Sequence, residues 1–160
     1  MTGAHSDRNR RLGHVGVLSL VTAMVAVSLL PSVAAAGSGS LRTALAGWSK
    51  KTSGDARALA LDARQRHPVR MTRSALRFRT DALHAKAAIA ALRLATARER
   101  KAQRLAVSAF ADYAIAGSQW AASGRARSHG KKQAAIAHAR IAATSATAGS
   151  RLLITAGKLL

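Results

Sequence analysis

The chain has 160 residues, with 26 Lys and Arg against six Asp and Glu, and a net charge of +20. It contains no cysteine, which excludes disulfide frameworks, thiol nucleophiles, Cys-bound zinc or iron–sulfur clusters, and a lipid-modified N-terminal Cys. There are 39 alanines and only five aromatic rings, so any core is built from small side chains, and the length allows one small domain.

The first 36 residues read as an export signal. Arg8, Arg10 and Arg11 form a positive start, followed by 16 largely apolar residues from Val15 to Leu30. Pro31 ends that stretch, and Ala34-x-Ala36 fits the small-residue cleavage rule, with Gly37 as the new N-terminus. A spanning helix needs roughly 20 apolar residues, so cleavage is the first expectation and an uncleaved anchor the alternative. Arg10-Arg11 is only a fragment of a twin-arginine signal, because Gly13 and His14 stand where bulky apolar residues belong. Residues 1–36 are thus a signal or anchor, and residues 37–160 are an extracytoplasmic domain.

That domain keeps 23 basic and five acidic residues once Arg8, Arg10, Arg11 and Asp7 are removed, a net of +18. Arg outnumbers Lys 19 to 7, as a GC-rich coding sequence would also favour. Its wealth of Ala, Leu, Arg, Lys and Gln, without strand-type alternation, makes it all-α. The expected architecture is an antiparallel bundle of about three to five helices following the N-terminal signal helix. Ser40 caps a helix over Leu41–Lys51, Gly54 ends it, and Asp55 caps a second helix to about Arg66. His67-Pro68 stops the chain, and Thr72 caps the next helix. A single helix from there to Ser123 would be about 75 Å long, so a bend is expected at Arg98-Glu99-Arg100-Lys101. Gly124–Gly130 reads as a loop and Lys131–Gly157 as the last helix.

Heptad spacing suggests the packing faces. Leu76, Leu83, Ala90 and Ala97, with Thr80, Ala87 and Leu94, form one seam. Ala134, Ala137, Ile141, Ser145, Ala148 and Leu152 form another. Arg79, Lys86, Arg93 and Arg100 recur beside the first seam as a basic edge, whose plainest explanation is a solvated flank with aliphatic stems over the core. Trp48, Phe78, Phe110, Tyr113 and Trp120 are expected to anchor the packing.

No enzyme motif is present: no phosphate-binding Gly-rich loop, His-Glu-x-x-His, Gly-x-Ser-x-Gly or calcium loop. Asp81 and His84 share a helical face, as many surface pairs do. His67, His84, His129 and His138 show no metal-ligand spacing. Neither catalysis, cofactor nor metal is therefore expected. The sharpest local feature is Gly124-Arg125-Ala126-Arg127-Ser128-His129-Gly130-Lys131-Lys132. Arg125, Arg127, Lys131 and Lys132 there, joined by Arg79, Lys86, Arg93 and Arg100, are the candidate polyanion-binding residues. Outside the cytoplasm the partners would be anionic envelope polymers or an anionic lipid surface, with nucleic acid bound only non-specifically and with strong salt dependence.

Leu45-Ala46-Gly47-Trp48, Thr52-Ser53-Gly54-Asp55, Leu59, Asp62, the Ala75-Leu76…Asp81 helix, Phe110-Ala111-Asp112-Tyr113 and Ala148-Gly149-Ser150-x-Leu152 follow one another along most of the domain. In this order the chain resembles a group of small exported, lipoprotein-like helical proteins of actinobacteria. The resemblance implies a helical fold and an export route, and no catalytic residue. Members typically carry two cysteines in the central helices and a Pro-Asp turn between them. Here Ala75 and a position near Ser118 stand in place of the cysteines, and Arg98-Glu99 lies near the expected turn. The combined expectation is an exported cationic bundle that binds polyanions at the cell envelope. A membrane-active helical protein is the first alternative and a small enzyme the second.

Overall fold

The computed structural model describes residues 39–160, so the stretch read as an export signal and its expected cleavage after Ala36 lie outside the described residues. Four helices account for nearly all of this region: α1 Gly39–Arg64, α2 Pro68–Ala90, α3 Ala97–Ser128 and α4 Lys132–Lys158. Each packs chiefly on its neighbours in sequence, most extensively α3 on α4 and on α2. Contacts between helices fix the directions. Asp62 meets Ser74 while Lys51 meets Asp81, so α1 and α2 run antiparallel. Gln103 reaches Ile89 while Gly124 abuts Pro68 and Thr72, so α2 and α3 do too. The same follows for α3 and α4 from Gln119–His138 and Tyr113–Ser150. The fold is an all-α antiparallel bundle. Among the described residues no helix is long and apolar enough to cross a membrane.

Several boundaries differ from the sequence expectation. Gly54 does not end a helix; α1 runs through it, because Leu41, Leu45, Ser49, Thr52, Asp55 and Leu59 all lie on one buried face. A continuous face outweighs the roughly 1 kcal/mol that an interior glycine costs. Thr72 is not a cap either. It lies inside α2 and donates to the Pro68 carbonyl (2.9 Å), while Pro68 opens the helix with its fixed φ. The bend falls at residues 91–96 rather than at Arg98–Lys101. Its cause is a capping box: Thr96 accepts from the Glu99 amide (3.1 Å), and the Glu99 carboxylate accepts from the Thr96 amide (3.0 Å). Those bonds hold the Glu99 carboxyl below its ordinary range. Thr96→Ala is expected to cost about 1 kcal/mol, read as a lower midpoint in urea.

Both packing seams are displaced by one residue. On α2 the buried apolar positions are Met71, Ala75, Phe78, Ala82, Ala85 and Ile89, a strict alternation of four and three, whereas Leu76 and Leu83 are 42% and 37% exposed. On α4 the buried positions are Ala135, Ala139, Ala142, Ala143, Ala146, Gly149, Leu153 and Ala156, and Ile141 is exposed. The reason is proximity. Sixteen of the 26 buried apolar residues are alanine, and helices that approach through alanine and glycine turn their bulkier aliphatic residues outward. Gly117 lies directly against the Arg79 backbone, and Gly149 against the Ala109 carbonyl and the Tyr113 ring.

The aromatic expectation holds for the centre. Phe78 packs against Tyr113 (ring centroids 5.7 Å) and edge-on to Trp120 (5.9 Å), and Phe110 meets Tyr113 at 5.9 Å. Burial pushes the Tyr113 hydroxyl up from its ordinary value, partly opposed by its hydrogen bond with Ser150. Trp48 is only half-buried, at the margin of the core, with the Lys51 ammonium 5.1 Å from its ring centroid.

Candidate polyanion interface

The electrostatics of the bundle begin with its five carboxylates, because they decide which cations remain free. Asp55 and Asp81 face each other between α1 and α2. Arg77 Nε lies 3.0 Å from Asp55 Oδ1, and Lys51 Nζ 2.8 Å from Asp81 Oδ1. Asp62 accepts from Ser74, and Glu99 belongs to the capping box. Asp112 is half-buried, which raises its carboxyl above the usual range. Asp55, Asp81 and Glu99 are themselves buried. Among the described residues only Lys51 and Arg77 pair with an acid. The remaining cations face solvent or backbone carbonyls.

The Asp55–Asp81 pair shares one environment with opposite effects on its members. Burial, then the hydrogen bond and charge of Asp81, push the Asp55 carboxyl up to about 6, against the attraction of Arg77 and Lys51. Burial alone would raise Asp81 as well, but hydrogen bonds from Lys51 and Asp55 outweigh it and hold Asp81 below its ordinary value. Below about pH 6 the folded pair therefore holds one proton, on Asp55. A raised folded pKa at Asp55 means stability that is present at acid pH and lost as pH rises from about 4 through about 6; the lowered Asp81 has the reverse sign and loses stability only at lower pH. Asp55→Asn should remove the decline on the alkaline side. The variant should melt higher than the parent at pH 7.5 by an amount equivalent to about 1 kcal/mol, with little difference at pH 5.

Asp81 is thus turned toward α1 and not toward His84, which is exposed. His138 bonds instead to Gln119 (2.8 Å) across α3 and α4. The Asp81–His84 pair does not form. Among the described residues no cluster of three His, Cys, Asp or Glu side chains is placed to hold a metal ion.

The eight candidate cations separate into two groups. Arg79 and Lys86 are exposed on α2, Arg93 lies in the connection after it, and Arg100 is in the first turn of α3, donating to the carbonyls of Leu94 (3.2 Å) and Ala95 (2.6 Å). They form no continuous edge, because the helix that would align them breaks after Ala90. The Gly124–Gly130 loop is also shorter than expected. Gly124, Arg125 and Arg127 belong to the last turns of α3, and only His129, Gly130 and Lys131 separate the two helices. Gly124 stays helical because its missing Cβ lets the chain pass close to Pro68 and Thr72. Gly130 makes the turn, with φ of +71°. Arg125, Arg127, Lys131 and Lys132 nevertheless remain together at one end of the bundle.

That end has a second basic turn beyond the eight. Because α2 begins beside the last turns of α3, the α1–α2 connection brings Arg64, Arg66, Arg70 and Arg73 to the same end, all exposed. Arg66 occupies the left-handed region at φ 57°. The signal was present in the sequence: four arginines fall within ten residues, and no acid occurs between Asp62 and Asp81 or after Asp112.

Comparison with family models, with curated proteins and with solved structures finds no match to this chain.

Proposed function

We propose that this is an exported, non-catalytic protein that binds anionic polymers at the cell envelope, of the kind its resemblance to small exported helical proteins of actinobacteria suggests. The observation that supports the reading is the disposition of charge. Residues 39–160 carry 23 cations against five carboxylates; four of these are buried, capping or hydrogen-bonded within the bundle, and Asp112 is half-buried. Such a surface attracts phosphate polymers through release of their counterions, with little sequence preference. Few aromatic side chains are exposed for base stacking.

Two measurements test the two halves of the proposal. Mass spectrometry of the protein from culture medium and from membranes should find a mature N-terminus at Gly37; an intact Met1 found only in membranes would mean that Val15–Leu30 is an anchor. On phosphocellulose the full chain should be retained at low ionic strength and elute only as salt is raised. Passage without retention would contradict polyanion binding.

A second reading, attachment to anionic bilayers, has one observation in its favour. Val69, Leu76 and Leu83 recur every seven residues on the outward side of α2, and each is exposed. Basic helices with an apolar stripe lie on anionic membranes. Leakage of dye from phosphatidylglycerol vesicles, reduced by replacing all three with serine, is the result expected under this reading.

A further inference from the structure

Resting on the polyanion-binding reading, we infer that the end of the bundle formed by the α1–α2 and α3–α4 turns is a grip for a linear phosphate-bearing polymer. Its residues are Arg64, Arg66, Arg70 and Arg73 from the first turn, and Arg125, Arg127, Lys131 and Lys132 from the second.

The two ends of the bundle use their cations differently. At the end where α1 starts and α4 finishes, three arginines are engaged with backbone carbonyls, while Lys86, Arg93, Lys101, Arg104 and Lys158 are exposed without such a bond. Arg42 donates to Leu160, Arg98 to Lys158 (3.5 Å), and Arg100 to Leu94 and Ala95. Each end also holds one carboxylate in a structural bond, Glu99 in its capping box there and Asp62, accepting from Ser74, at the other. At the opposite end, among the described residues, none of the eight cations pairs with an acid or donates a side-chain hydrogen bond. Seven of the eight are exposed and Arg127 is half-buried. Here all eight are left without a partner, whereas at the other end only some of the cations are, among the described residues.

Helix stability does not explain the arrangement either. Arg64, Arg125 and Arg127 lie in last turns, where the helix dipole favours cations. Arg70, Lys131 and Lys132 lie at the starts of α2 and α4, where the dipole disfavours them, and neither helix has an acid in its first turn. A bound polyanion would relieve that repulsion in both helices together. Six of the eight cations are arginine, whose planar fork donates to two phosphate oxygens at once.

A polymer suits this end better than a bilayer. Val69, Leu76 and Leu83 extend about 21 Å along the side of α2, whereas the free cations gather at its end. A flat membrane engaging those cations would meet only the N-terminal part of the stripe. A flexible chain needs no apolar partner and can follow the cations from one turn to the other. The helices are about 35–48 Å long, several Debye lengths at physiological salt, so the two ends act as separate electrostatic sites.

The test is binding of the full chain to medium-chain linear inorganic polyphosphate at several salt concentrations. Three variants with four Gln replacements each are compared: Arg64, Arg66, Arg70 and Arg73; Arg125, Arg127, Lys131 and Lys132; and, toward the opposite end, Lys101, Arg104, Arg151 and Lys158. Each removes the same charge, and circular dichroism melts establish that each is folded. Either variant of the proposed end should weaken binding at least about tenfold at low salt and flatten the salt slope by up to about four contacts. The opposite-end variant should change affinity less than about threefold. Equal losses in all three would overturn the localised grip while leaving polyanion binding intact. Failure of the parent to bind polyphosphate even at low salt would instead remove the reading on which it rests. Tighter binding to phosphatidylglycerol–phosphatidylcholine vesicles than to polyphosphate, lost when Val69, Leu76 and Leu83 become serine, would assign the surface to a membrane.

Discussion

Phe78→Ala is expected to cost about 3–5 kcal/mol and to leave the chain largely unfolded near physiological temperature. Phe78 is 1% exposed and touches both Tyr113 and Trp120, so its removal opens the aromatic centre of a core that is mostly alanine. The rest has little with which to compensate. An alanine seam buries little apolar area per residue, at about 25 cal/mol per Å², and a net charge of +18 on residues 37–160 opposes compaction. Leu76→Ala and Leu83→Ala, on the neighbouring stripe, should each cost less than about 1 kcal/mol because both side chains already contact solvent. Urea unfolding of the three variants distinguishes the two stripes directly. A larger loss at Leu76 than at Phe78 would mean that α2 is rotated by one residue from the arrangement described.

The second large effect concerns helix approach. A Cβ on Gly117 would lie 2.8 Å from Arg79 Cβ and 2.9 Å from its Cα and amide nitrogen. On Gly149 it would lie 2.7 Å from the Ala109 carbonyl oxygen and 3.0 Å from the Tyr113 ring. The obstacles are backbone atoms, a Cβ fixed to the backbone and a buried ring, none of which can swing aside, so the helices must separate. Alanine gains about 1 kcal/mol in helix propensity over glycine, yet overpacking of this kind costs about 1–3 kcal/mol or more. Gly117→Ala and Gly149→Ala should therefore lower the melting temperature. Gly47→Ala and Gly54→Ala meet nothing within 4 Å and should stabilise by about 0.5–1 kcal/mol each. Should all four glycine variants gain stability alike, the close contacts of α3 with α2 and α4 would be absent.

These glycines also explain which parts of the fold were legible in the sequence. Composition was enough for the helical class, and His67-Pro68 marked the first turn, because those signals act within a few residues. The seams were not legible from apolar bulk. Leu76, Leu83 and Ile141 drew the expected faces toward themselves, while the actual faces follow Ala75, Ala82, Ala139 and Ala146, where small side chains let helices close. Gly117 and Gly149, costly inside a helix unless something lies against them, were the better guides. The bend was readable from Thr96-x-x-Glu99, a local capping pattern hidden behind the neighbouring charged run.

For the candidate surface, the sequence supplied Arg125, Arg127, Lys131 and Lys132 as one cluster. It did not join them to Arg64, Arg66, Arg70 and Arg73, since that requires knowing that α2 starts where α3 ends. The supposed edge of Arg79, Lys86, Arg93 and Arg100 assumed a helix that does not continue past Ala90. Charge patterns along a sequence survive folding only as far as the helix carrying them.

The most direct test of the proposal that this cationic bundle binds polyanions is the salt dependence of its affinity. Fluorescence anisotropy of a labelled oligothymidylate, titrated with the full chain, gives log K against log salt. A straight, steeply negative line is expected, with a slope reporting several phosphate contacts at about 0.7 per contact for a single strand. A shallow line, or no binding at low ionic strength, would show that the charge of this protein is not used to hold anionic polymers.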